Sequence, residues 1–164
     1  MKLGLISLVA MAIAIAAPAK AVTYHVVFNG PIYDADLLVK TNAANLATSI
    51  SGTQTGLQGG VVTSLVSETL SPKYGFFWDN LLTGTPNYLT LGGLMWNNSD
   101  GSIANLFLQG TDYHLYGGSG SSYYFDDIGK ISVSAVPLPS ALPLLAAGLL
   151  GLGGIALRRR KSAA

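Results

Sequence analysis

The stretch Ile131-Ser132-Val133-Ser134-Ala135-Val136 decides the fold class. Ile131, Val133 and Ala135 fall on one face, and Ser132 and Ser134 on the other. A period of two belongs to an antiparallel strand with one side in a core and the other in water. Upstream, the same pattern recurs between turn residues. Val22 to Asn29 is rich in β-branched and aromatic side chains and stops at Gly30-Pro31. Val61 to Thr69 is rich in Val and Thr, and Tyr74 to Asp79 packs four aromatics into six positions. Tyr88 to Trp96 is interrupted at Gly92-Gly93, and Asp100-Gly101 is a favoured pair for a tight hairpin. Ile103 to Gln109, Thr111 to Tyr116, Ser122 to Asp126 and Ile128 to Val136 complete the series. Asp36 to Thr41 and Leu46 to Thr53 read as two further strands. The segment Ala35 to Ile50 is the closest rival for a helix, but its Thr and Asn residues argue against one. Many short strands separated by turns predict an all-β domain over 22–136, a single antiparallel β-sandwich of jelly-roll type.

Composition narrows the chemistry. The chain has 164 residues and no cysteine, which excludes a disulfide scaffold, a Cys-based zinc site and a cysteine nucleophile. Charged residues make up only 10% and the net charge is +1. That balance is the sum of two populations. Six of the nine cations lie in the terminal segments, which leaves Lys40, Lys73 and Lys130 in the middle, while all eight acids lie there. The domain at 22–136 is therefore acidic, with a formal charge of −5. An acidic surface repels phosphates, so a nucleic-acid partner is not expected.

Both ends are addresses. Lys2, the apolar run Leu3 to Ala17 and the small-x-small pattern Ala19-Lys20-Ala21 make residues 1–21 a signal peptide. This implies the Sec translocon and signal peptidase as partners. Cleavage after Ala21 is expected, with Ala17-Pro18-Ala19 as the neighbouring alternative. At the other end Val136-Pro137-Leu138-Pro139-Ser140 breaks regular structure. Leu138 to Leu157 then runs for 20 residues without a charge. As a helix it would be ~30 Å long, enough to span a bilayer. Arg158, Arg159, Arg160 and Lys161 follow and would keep that end cytoplasmic.

A proline motif at 136–140, a hydrophobic segment and an arginine cluster, in that order, make 137–164 resemble the PEP-CTERM sorting signal, in its VPLPA variant. The match rests on Val136, Pro137, Leu138, Pro139 and Ser140, the run to Leu157, and Arg158 to Lys161. Leu138 stands where the common form has glutamate. The resemblance implies an exosortase as partner and cleavage near the proline motif. It also implies export to the cell surface or matrix of a bacterium that makes extracellular polysaccharide. A softer resemblance to small ectodomains of the same family runs through Ile50-Ser51-Gly52-Thr53, Val62-Thr63-Ser64-Leu65, Asp79-Asn80-Leu81-Leu82, Gly93-Leu94 and Tyr113-His114-Leu115-Tyr116. Those ectodomains carry no assigned chemistry.

Within the domain, catalytic signals are weak. His25 and His114 are the only histidines. No G-x-S-x-G elbow accompanies them and their spacing matches no metal-ligand motif, so no enzyme, cofactor or metal is expected, with a calcium site of non-EF type between loops left open. Around Asp100-Gly101 an EF-hand would place Trp96 and Phe107 where acids are required, which rules that loop out. The aromatics offer more. Trp78, Trp96, Tyr123 and Tyr124 are candidates for a platform on which sugar rings stack. In each adjacent pair, Phe76-Phe77 and Tyr123-Tyr124, one ring must point outward if the segment is a strand. Two readings follow: a non-catalytic exported surface or matrix protein, and alternatively a carbohydrate-binding module for extracellular polysaccharide.

Overall fold

The structure, a computed structural model, describes residues 21–73, 76–84, 87–119 and 122–136. Eight strands follow in chain order: β1 (Val22–Asn29), β2 (Asp34–Thr41), β3 (Ala47–Thr55), β4 (Gly60–Leu65), β5 (Leu94–Asn98), β6 (Ile103–Gln109), β7 (Asp112–Ser119) and β8 (Ser122–Val136). Each pairs antiparallel with its sequence neighbours, and β1 also pairs with β8, so the sheet closes into a barrel.

The closed ladder corrects the expectation of an open jelly-roll sandwich. Two strands make the difference. The first part of β8 pairs with β7 as far as Gly129 opposite Tyr113. The rest pairs with β1, from Lys130 opposite Asn29 to Val136 opposite Thr23. Strand β4 does the same on the other side, with Val61 opposite Thr53 of β3 and Val62 opposite Asn98 of β5. Two ladders thus share both outer strands, joined through the β1–β8 pairing on one side and a short β3–β4 pairing on the other. Gly129 sits at the handover in β8, where any Cβ would lie 2.3 Å from the Asn29 carbonyl oxygen. Alternation in a sequence shows which side chains turn inward. It does not show at which residue a strand changes partner.

Other boundaries shift as well. The segment Ala35 to Ile50 is not a helix, because it holds most of β2 and the start of β3. Ser122 to Asp126 and Ile128 to Val136 are one strand of 15 residues. The aromatic run at 74–79 is not a strand within the residues described there. It belongs to a long irregular excursion between β4 and β5, with one 3₁₀ turn at Glu68–Leu70.

The interior follows from period two. In β2, Ala35, Leu37 and Val39 are buried while Asp34, Asp36, Leu38 and Lys40 face out. Val26, Phe28, Leu37, Leu94, Trp96, Leu106 and Leu115 join in one core cluster. An eight-stranded barrel is just wide enough for its own side chains to fill. Size complementarity tightens the packing: the Phe125 ring lies over Gly117, and Tyr33 stacks on Phe125 at 4.2 Å. Ile131 and Val133 pack against this core while Ser132 and Ser134 are exposed, as their alternation predicts, but Ala135, on the same face as Val133, is exposed near the strand end.

No helix among the described residues is long and apolar enough to cross a membrane. The run 138–157, the basic cluster 158–161 and residues 1–20 lie outside the described residues.

Candidate functional site

The outer wall of a barrel is usually polar. Here part of the outer face of β5, β6 and β7 is apolar, at Met95, Ile103, Phe107 and Tyr116, and described residues of the 66–93 excursion pack against it. Phe76, Trp78 and Met95 form a second buried cluster, with Val66, Ile103 and Tyr116 packed against it. Polar side chains fix the excursion in place. The Asn80 amide nitrogen donates to the Val66 carbonyl at 2.6 Å, and its side-chain oxygen accepts the Met95 amide at 3.0 Å. Asn80 reaches both in a left-handed conformation, φ 54°, which asparagine tolerates better than most residues. The Trp78 indole donates to the Ser67 carbonyl at 3.1 Å. Thr90 donates its hydroxyl to the Asp79 carboxylate. From the barrel side, the Asn105 amide nitrogen donates to the carbonyls of Gly92 and Leu94, at 2.9 and 3.0 Å.

Between excursion and wall lies a groove of about 370 Å³. Phe76, Phe77 and Leu91 line it from the excursion, and Asn105, Phe107, Gln109 and Tyr116 from the barrel. Phe107 and Tyr116 meet edge to face, with ring centres 4.7 Å apart. His114 is directly opposite Phe107 in the β6–β7 ladder and stacks on it at 5.5 Å. The His114 Nδ1 is 3.1 Å from an Asp126 carboxylate oxygen. Burial raises the pKa of the Tyr116 phenol, and the charge of Asp126 and a hydrogen bond to it push in the same direction. The result is a wall of interlocked rings with one acid behind it.

The residues singled out in the sequence fall in different places. Trp96 is 0% exposed inside the barrel and Trp78 is 1% exposed under the excursion, so neither offers a ring face to a sugar. Both were candidates for a platform. Each is instead the largest buried side chain of its own cluster, where burial of a big ring contributes much. The side chains of Tyr123 and Tyr124 lie outside the described residues. In the pair Phe76-Phe77, Phe76 is buried and Phe77 is 58% exposed. Val136 ends β8 opposite Thr23, and Ala21 immediately precedes β1. Ala19, Pro137, Leu138, Pro139, Ser140, Arg158, Arg159, Arg160 and Lys161 lie outside the described residues.

The other candidate sites separate. Asp126 faces outward to His114, while buried Asp127 accepts the Ile32 and Tyr33 amides at 3.0 and 2.8 Å and so holds the β1–β2 loop. His25 pairs with Asp36 at 2.8 Å on the outer face of β1 and β2. Among the described residues no three His, Asp or Glu side chains gather to hold a metal ion.

Sequence reasoning missed Asn105, Phe107 and Gln109 as groove residues. One signal was present. Ile103 to Leu108 is apolar at both alternating sets of positions except Asn105, the pattern of a strand covered on both faces.

Comparison of the chain with family models, with curated proteins and with solved structures finds no match.

Proposed function

We propose that this chain is an exported, non-catalytic barrel of the cell surface or extracellular matrix, delivered by its two terminal signals. In this reading Sec and signal peptidase release the N-terminus after Ala21. The segment 137–164 holds the chain at the inner membrane until an exosortase cuts near the proline motif. One observation supports it above others. Among the described residues the first strand begins at Val22 and the last ends at Val136, beside the boundaries at which the signals would be removed. Those ends meet in the ladder that closes the barrel, Thr23 opposite Val136. Cutting at both signals would therefore leave every strand intact.

Mass spectrometry of the mature protein from an exosortase-bearing cell tests this. The expected product starts at Val22 and lacks Arg158 to Lys161. A chain still ending at Ala164 overturns the sorting reading.

A further inference from the structure

We infer that the groove between the excursion and the outer wall of β6 and β7 is a binding site for a neutral pyranose unit of a glycan chain. It rests on the groove alone and does not depend on how the chain is sorted.

Four features carry the inference. The first is an exposed ring in an unusual place. Phe77 is 58% exposed and Leu91 65% exposed on the two sides of the excursion, and both line the groove. Exposed apolar groups scattered singly need no explanation, but these two line one groove, with half-buried Tyr116 and buried Phe107 also in its wall. The second is size. At about 370 Å³ the groove falls at the low end of the roughly 300–1,000 Å³ range of small-molecule clefts. The third is the mixture of chemistry. Aromatic faces suit the C–H face of a pyranose, while hydroxyls need donors and acceptors at the rim. The Asn105 amide nitrogen is committed to two carbonyls, so it shapes the wall. Exposed Gln109 is then the side-chain amide within reach of a ligand. The fourth is charge. Asp112 lies directly opposite Gln109, and Asp126 stands behind Tyr116 and His114. Within an acidic domain, these carboxylates disfavour uronate or sulfated sugars and leave neutral ones.

The wall is also prearranged. Phe107, His114 and Tyr116 hold one another by stacked and edge-to-face contacts, so a ligand has little ordering cost to meet there.

The test is a calorimetric titration of the purified full chain, kept in a zwitterionic detergent that carries no sugar. The probes are cellohexaose, laminarihexaose and an anionic hexa-mannuronate. Saturable binding of at least one neutral oligosaccharide is expected, with weaker or no binding of the anionic one. Phe77→Ala should weaken binding by about tenfold, the loss of one ring-stacking contact. Gln109→Ala should also weaken it. Leu57→Ala, on the exposed β3–β4 turn outside the groove, should leave it unchanged. Phe77 and Gln109 are exposed, so folding is expected to survive, and an unchanged melting temperature verifies that. The inference is overturned if neither neutral probe binds at millimolar concentration. It is equally overturned if binding survives Phe77→Ala and Gln109→Ala unchanged, or if the anionic probe binds more tightly.

Discussion

The Asp100 carboxylate accepts the backbone amide of Gly59 at 2.6 Å, joining the β5–β6 turn to the β3–β4 loop. The same carboxylate accepts the amide and the hydroxyl of Ser102, at 2.8 and 2.6 Å. Partial burial alone would raise the Asp100 pKa. The hydrogen bonds from Ser102 and Gly59 outweigh it and hold the carboxyl below its ordinary value. A lowered folded-state pKa adds stability above the unfolded value near ~3.9, and that stability is lost as pH falls through the folded value. Asp100→Ala should therefore cost about 1 kcal/mol at neutral pH, as expected for partly solvated hydrogen bonds. The gap between wild type and variant should close on acidification below about pH 4. Urea denaturation of both proteins at pH 7 and at low pH measures it. A gap that widens in acid would contradict the assignment.

Next to this clamp, Asn98 is buried and joins three side chains. It accepts the Trp96 indole N–H at 3.1 Å and donates to Gln54 at 3.1 Å and to Ser102 at 3.0 Å. Asn98→Ala leaves the Trp96 N–H and the Gln54 carbonyl oxygen without that partner in the barrel interior. The expected loss is about 2–6 kcal/mol, at roughly 1–3 for each of the two orphaned groups. Chemical denaturation is the readout, and a loss below half a kcal/mol would show that water replaces the amide.

Gly117 makes room for an aromatic ring. A Cβ at this position would lie 1.8 Å from the Phe125 ring. Gly117→Val should destabilise by about 1–3 kcal/mol through overpacking. Pairing it with Phe125→Leu should recover part of the loss, because the clash is with the ring. Thermal melts of the single and double variants separate the clash from a general cost of valine on β7. No recovery in the double variant would rule out the ring as the cause.

Truncation reports on closure. A chain ending at Val136 keeps every pair between β1 and β8, whereas one ending at Gly129 loses all of them, from Lys130 opposite Asn29 onward. The first should melt cooperatively, with a midpoint close to that of the full chain. The second exposes the whole β8-facing edge of β1 and should aggregate or fail to fold. Far-ultraviolet circular dichroism and size-exclusion chromatography distinguish them. A folded, monomeric product ending at Gly129 would show that closure is dispensable.

Much of the fold was legible residue by residue. The alternation at Ile131 to Val136 and the breaks at Gly30-Pro31 and Asp100-Gly101 placed strands and turns where they occur. The all-β class follows from them. The groove was less legible, because its two sides come from segments far apart in the chain. Phe77 and Gln109 share a surface only because the excursion is fastened across β6 by Asn80 and Asn105. The tryptophans misled for a related reason. A large ring is suited equally to a core and to a sugar platform, and only the packing around Trp78 and Trp96 separates the two.

By itself the sequence determined the all-β class of the domain, most of its strands and the excess of acids over cations at 22–136. These depend on local period, charge and order along the chain, which a linear text carries in full. Tertiary structure alone decided that the sheet closes, that β4 and β8 serve two ladders each, and that an aromatic groove forms outside the barrel. Those outcomes depend on which partner each strand meets and which face another segment covers. Both are settled by the packing of side chains distant in sequence, here Gly129 against Asn29 and Asn105 against Gly92.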